Sequence, residues 1–198
     1  LLHTAGGLVG GDQLSIDLNL KAESRSLITS VAAQKVYGSV GRSRLNPDGA
    51  WSRQGVTCTL DDNSDLEWLP QEMVLYADAL FHQSVRVCLP ENASFLSAEI
   101  VRLGRTAAEE RLNQGCWRSC LEIQRHGADS PRWELVDRLE LGGSSLTDCH
   151  GLAGAPVFGS LVWAAPKPLS PEAISMLLKD ARDDRHGLIG TMRCSTLD

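Results

Sequence analysis

The side chains of this 198-residue chain that could do chemistry are six cysteines, five histidines and a scatter of carboxylates. Cys116 and Cys120 are separated by three residues, and Cys149-His150 with His186 could add metal ligands. On a strand, residues four apart share a face but lie ~13 Å apart along it. Cys116 and Cys120 could therefore share an ion only if their segment bends. Structural zinc prefers closely spaced cysteine pairs occurring twice, and Cys58, Cys88 and Cys194 do not supply the second pair. Nothing local marks any cysteine as activated, and a buried structural thiol is the commoner state. Ser160, within Phe158-Gly159-Ser160-Leu161-Val162, lacks the second glycine of a hydrolase elbow. The cluster Gly6-Gly7-Leu8-Val9-Gly10-Gly11-Asp12 invites a phosphate-loop reading. Such a loop opens into a helix and carries a Lys followed by a hydroxyl residue. Here alternating strand sequence follows, and the simpler reading is a tight turn entering a strand. Among the carboxylates, Asp12, Glu67, Glu72 and Glu109 fall in or beside unusual sequence, where each could equally be a solvated charge or a turn brace.

The elements that must position these groups are mostly strands. Leu14, Ile16, Leu18 and Leu20 alternate with polar residues, as do Val56, Cys58 and Leu60 before the turn-rich Asp61-Asp62-Asn63-Ser64-Asp65. Val85 to Leu89, Phe95 to Leu103, Trp117 to Ile123, Trp133 to Leu141 (with Asp137 as a polar intruder) and Val157 to Trp163 read as further strands. One helix is expected from Ser170, which can cap it, through Pro171 at its first position, with Ile174, Leu177, Leu178 and Ala181 as an apolar stripe and Gly187 as a stop. Ala107 to Leu112 suits a short helix or turn. Gly142 to Gly154, rich in glycine and small polar residues, is the best candidate for a mobile loop. No internal repeat is visible. The pattern is that of a mainly β architecture.

Composition bounds the rest. The chain is 42% hydrophobic and 22% charged, with a formal net charge of -6, which suits one globular domain. An acidic balance argues against a general nucleic-acid binder and against docking on anionic lipid. No apolar run reaches the length of a bilayer-crossing helix, and no signal peptide opens the sequence. Scattered cysteines in such a chain suggest reduced thiols, and a cytoplasmic location is expected.

Three stretches taken together are specific: Gly6 to Asp12, Thr29-Ser30-Val31-Ala32-Ala33-Gln34-Lys35-Val36-Tyr37, and Leu66-Glu67-Trp68-Leu69-Pro70-Gln71-Glu72. In this order and at these gaps the chain resembles the urease accessory protein family UreD, also called UreH. Gly104-Arg105 with Glu109, and Asp137-Arg138-Leu139, continue the likeness over essentially the whole chain. Thr4-Ala5 stands where the family usually has prolines, Gln34 where threonine is usual, and Ala108 where glycine precedes the glutamate. The resemblance implies a single UreD-type domain over 1–198, truncated at both ends. It implies many short strands in stacked, superhelical sheets, with one or two helices toward the C-terminal part.

The resemblance also implies a non-catalytic maturation protein. UreD proteins act with UreF and the GTPase UreG on apo-urease, in a complex that can be dimeric, and help deliver nickel to the urease metallocentre. No tightly bound cofactor is implied, only transient Ni²⁺. Oxygen ligands and water suit an ion that must leave again, so Asp12, Glu72 and Glu109 are candidates to line a hydrated path. Bracing is the open alternative: Asp12 on the glycine loop, Glu72 against Lys35 or Arg105. Gly6, Gly7, Gly10, Gly11, Lys35, Tyr37, Trp68, Pro70, Gln71 and Arg105 are motif residues, and core packing is favoured for Trp68, Tyr37 and Leu69. Trp163, Leu177 and Leu178 are candidate anchors for UreF. A small metal-dependent hydrolase on a mainly β fold is the competing class.

Overall fold

In a computed structural model the described residues are 1–127 and 130–184. The chain divides into two units, Leu1–Ala164 and Ala165–Asp198. In the first, the strands are β1 (Gln13–Leu20), β2 (Arg25–Ile28), β3 (Gln34–Val36), β4 (Ser52–Leu60), β5 (Asp65–Trp68), β6 (Met73–Leu75), β7 (Leu80–Pro90), β8 (Ser94–Leu103), β9 (Cys116–His126), β10 (Pro131–Gly142) and β11 (Val157–Ala164). The fold is mainly β, in two curled sheets. One sheet runs β1-β4-β7-β9-β10, parallel until the antiparallel β9/β10 pair. In the other, β2 and β5, and separately β3 and β6, stack in parallel onto β8, and β11 pairs antiparallel along β8.

This connectivity makes three stacked coils: β1-β2-β3, β4-β5-β6 and β7-β8. The repeat missed in the sequence is therefore a structural one. Leu20 and Leu60 end the first strands of coils one and two, Leu89 stands next to last in that of coil three, and the ladders place Arg25 beside Asp65 and Asp65 beside Ser94. The turns between the sheets stack as well. Asp65 N donates to Ser24 O at 2.9 Å, Ser94 N to Ser64 O at 3.0 Å, and Asn63 N to Asn92 Oδ1 at 3.2 Å. Glu23 and Asn63 hold the left-handed conformation at equivalent turn positions, φ 62° and 54°, and asparagine tolerates it better than most residues.

Strand pleating sends alternate residues of each coil inward. Two separate apolar clusters fill the space. One gathers Leu20, Val56, Cys58, Leu60, Leu66, Trp68, Val87, Leu89, Phe95 and Ile123. The other gathers Leu8, Val36, Met73, Leu75, Phe81, Val101, Leu103, Leu112, Trp117 and Leu141. Core packing thus holds for Trp68. Cys58 lies in the first cluster, where burial pushes its thiol up to about 12. Cys116 and Cys120 sit on β9, whose pairing with β7 is continuous from Leu80↔Cys116 onward. The strand does not bend between them, so they stay apart. In the second unit, α1 (Pro171–Asp184) begins as expected, with Ala173 N donating to Ser170 Oγ at 3.2 Å. No described residue of α1 is buried. Gly187, His186 and Cys194 lie outside the described residues, and no helix among the described residues is long and apolar enough to cross a membrane.

Candidate functional site

The two apolar clusters do not merge, because a polar band separates them. On the first sheet the inward row Leu14–Gln54–Gln83–Ser119–Leu139 is polar at its centre, and the next row ends on Asp137. Across from these rows, β8 presents Glu99 beside Ser160 of β11. Gln34 Nε2 donates to Gln54 Oε1 at 2.7 Å, and Gln83 Nε2 donates to Glu99 Oε1. Together with Trp68, Pro70 and Gln71, these residues line a cavity of about 60 Å³. That is room for water, with the several polar partners that buried water requires.

The third sequence motif opens this band. β5 pairs with β8 only as far as Trp68↔Ser97, and pairing resumes with β6 at Met73↔Val101. Between them Leu69-Pro70-Gln71-Glu72 leaves the ladder, and Pro70 has no N–H to offer a neighbouring strand. β8 itself continues unbroken. Its Ala98–Ile100 segment, which includes Glu99, therefore has no registered partner in β5 or β6. Gln71 is held aside by its N–H bond to Ser30 Oγ at 2.9 Å.

Glu99 is the electrostatic focus. Burial raises its carboxyl from 4.5 to about 7, the nearby Asp137 adds to the rise, and the Gln83 hydrogen bond opposes it. Gln83 Oε1 is buried without a partner.

The first two motifs build a different place. Leu8 forms a one-residue parallel bridge to Val36, with Leu8 N on Lys35 O at 2.8 Å and Tyr37 N on Leu8 O at 2.9 Å. Gly7 has φ 144°, and a Cβ there would stand 2.7 Å from Lys35 O and 2.8 Å from the Tyr37 ring, so only glycine fits. Gly6 accepts a hydrogen bond from Tyr37 Oη at 3.4 Å, Gly10 packs against Ser39 and the Ala50 carbonyl, and Gly11 turns at φ 96°. Tyr37 meets Tyr76 edge to face at 5.0 Å, and Arg105 lies 4.5 Å above the Tyr76 ring. Arg105 is paired with Glu110, whose other oxygen accepts Ala77 N at 2.8 Å. The motif arginine thus takes Glu110, which the sequence did not single out, and not Glu72.

The three expected carboxylates do not converge. Asp12 accepts Val9 N at 2.9 Å and so braces the glycine turn. Glu72 is exposed at the ladder break, and neither it nor the exposed Lys35 joins an ion pair among the described residues. Glu109, left-handed at φ 53°, lines a second cavity of about 400 Å³ with Leu103, Thr106, Glu110, Leu146 and Pro156. Among the described residues, the single set of three metal-ligand types with donors mutually within 4.8 Å is Asp148, Cys149 and His150. Trp163 and Leu177 are 47% and 48% exposed, as surface anchors must be, and Leu178 is half-buried. Trp163 Nε1 donates to Ser94 Oγ at 3.2 Å.

Stacked coils around a polar, carboxylate-bearing band define a mainly β, superhelical class of protein. Comparison with known proteins is more specific. Residues 1–197 match the UreD urease accessory protein family, and the chain belongs to it. It is 78% identical over 198 residues to the urease accessory protein UreD of Parasynechococcus marenigrum (strain WH8102), covering all of this chain and 64% of that protein. It is 68% identical over 201 residues to the UreD of Synechococcus sp. (strain WH7805), again covering all of this chain and 63% of the relative. Against the UreD of Prochlorococcus marinus (strain MIT 9303) it is 58% identical over 198 residues, covering 66% of that protein. The chain thus spans somewhat under two thirds of the length of the first two relatives.

Proposed function

We propose that this chain is a non-catalytic part of urease maturation, acting in the cytoplasm with UreF and the GTPase UreG on apo-urease. In this reading a hydrated passage through the polar band helps a nickel ion reach the urease metallocentre. The observation that supports it is the band itself: Gln54, Gln83, Ser119 and Glu99 turned inward between two dry clusters, with the exposed Asp137 at its edge, in a member of a urease accessory family. A row of amides, hydroxyls and carboxylates coordinates a divalent ion weakly and in sequence, which suits cargo that must leave again. Glu72 then lies beside a mouth of the band, next to Gln71 and Met73, which line its cavity. Glu109 belongs to the second cavity, and Asp12 serves chiefly as a brace. Trp163, Leu177 and Leu178 provide apolar anchors for UreF.

The test is co-expression of the full-length protein with apo-urease and the other accessory proteins. Glu99→Ala, Asp137→Ala, Glu72→Ala and Glu109→Ala should lower the nickel content of purified urease while the accessory complex still co-purifies. Wild-type nickel content in all four variants would sink the passage. Trp163→Asp with Leu177→Asp should abolish co-purification with UreF, and retained co-purification would place that interface elsewhere.

A further inference from the structure

The set Asp148-Cys149-His150 lies away from the band, on the loop between β10 and β11. Three consecutive residues on extended backbone point to alternate sides, so their convergence has to be made by the loop. Asp148 N donates to Ser144 O at 2.9 Å, while Asp148 O accepts Gly151 N at 3.0 Å and Ala153 N at 2.9 Å. Leu152 N donates to Ser145 O at 3.0 Å and Gly154 N to Leu146 O at 2.8 Å. Leu146 and Leu152 pack against the second apolar cluster and anchor the loop on the fold. Gly151 passes so close to the Ser145 carbonyl that a Cβ would collide with it. The loop expected from composition to be mobile is thus bonded across its whole width.

The side chains follow from that backbone. Asp148 Oδ1 accepts His150 N at 2.8 Å, which orients the carboxylate and leaves its second oxygen available. One sulfur, one imidazole nitrogen and one carboxylate oxygen then lie within 4.8 Å of one another, all on exposed residues. A mixed S/N/O set suits a borderline transition cation such as Ni²⁺, Co²⁺ or Zn²⁺, and disfavours Mg²⁺ and Ca²⁺, which prefer oxygen alone. Three protein donors leave further coordination positions to water, and an exposed site lets a second protein reach the ion. The two ends of the loop, at Leu146 and at Gly154–Pro156, also line the cavity that contains Glu109.

We propose that Asp148, Cys149 and His150 form an open, three-donor surface site for a divalent transition cation, fitted to take up and release it. Assigning nickel bound for urease as the physiological ion rests on the function proposed above; the binding itself does not. The experiment titrates the full-length protein with Co²⁺ alone, in a non-thiol reductant, and follows the thiolate-to-cobalt charge-transfer band. One equivalent should saturate the band. Cys149→Ala should abolish it, and His150→Ala and Asp148→Asn should each weaken binding by roughly tenfold or more. All three residues are exposed, so the variants should melt like wild type, which a thermal scan checks. A band that persists in Cys149→Ala, or unchanged affinity in His150→Ala, overturns the site. Nickel loading of co-expressed urease is measured separately, so that a working site with intact loading refutes only its role in maturation.

Discussion

Arg125 and Glu99 are both ionisable side chains carried inward by strands, and the fold treats them in opposite ways. Arg125, 1% exposed, ends the inward row Leu60–Leu89–Arg125 at one end of the first cluster. It grips Glu134 through Nε at 2.6 Å and Nη2 at 3.0 Å, and its Nη1 reaches the carbonyls of Pro90, Glu91 and Ala93 at 2.8, 3.2 and 2.9 Å. Glu99 has only an amide for a partner, a second carboxylate nearby, and a buried Gln83 oxygen left without a bond. The fully satisfied charge closes the coil stack. The under-satisfied one lies where β5 and β6 part. Burial alone therefore does not mark function; burial with unfilled hydrogen-bonding capacity does.

Breaking the satisfied charge should cost most. Arg125→Ala leaves Glu134 only its 3.3 Å contact with the exposed Arg132 and opens three turn carbonyls to a cavity, and a loss of about 3–5 kcal/mol is expected in urea unfolding. A loss under about 1 kcal/mol would mean that Arg125 is as dispensable as a surface charge. Glu99 should behave in the reverse sense. Its folded carboxyl, at about 7, is raised above the unfolded 4.5. Below pH 4.5 both states hold the proton, and the contribution to stability is fully present. As pH climbs from 4.5 to 7 the unfolded chain ionises first, and stability falls by about 1.4 kcal/mol per pH unit, at most about 3 kcal/mol in all. Glu99→Gln removes this dependence, so the variant should match wild type at pH 4 and exceed it at pH 8. Melting curves that run parallel across that range would sink the assignment.

The same contrast separates what could be read in the sequence from what could not. The long strands were legible, because eight to twelve residues of alternation leave a pattern. β2, β3, β5 and β6 have only three or four residues each, too few to alternate visibly. The coil repeat hid because successive coils differ in length and share little beyond a leucine and a small turn residue. Glu99 was hidden by its own strand. β8 carries Leu96, Ala98 and Ile100 on the face away from the band, and Ile100 is 54% exposed. Phe95, Val101 and Leu103 mark the inward face only at the two ends of the strand; between them the apolar alternation points the other way, and the polar Ser97 and Glu99 turn inward. The motif residues, by contrast, led to real devices: the glycine turn, the Arg105–Tyr76 contact and the Pro70 break. Their carboxylates took other places. Asp12 is spent on its turn and Glu72 stands outside the ladder.

The smallest expected effect concerns how Arg125 came to be needed. In coils one and two the carbonyl that opens the inter-sheet turn is capped by a serine three residues on: Ser24 Oγ donates to Lys21 O at 2.5 Å and Ser64 Oγ to Asp61 O at 2.6 Å. In coil three the corresponding carbonyl belongs to Pro90 and the corresponding side chain is Ala93, which has no hydroxyl. Arg125 Nη1 supplies the donor in its place. Ser64→Ala should then cost about 1 kcal/mol, the usual worth of one net hydrogen bond, since no arginine stands over Asp61. Conversely, Ala93→Ser should recover a similar amount in an Arg125→Met background, and little or nothing in wild type, where Pro90 O is already served. Equal effects of Ala93→Ser in both backgrounds would show that the hydroxyl acts through packing, and that Arg125 and the turn serines are not equivalent.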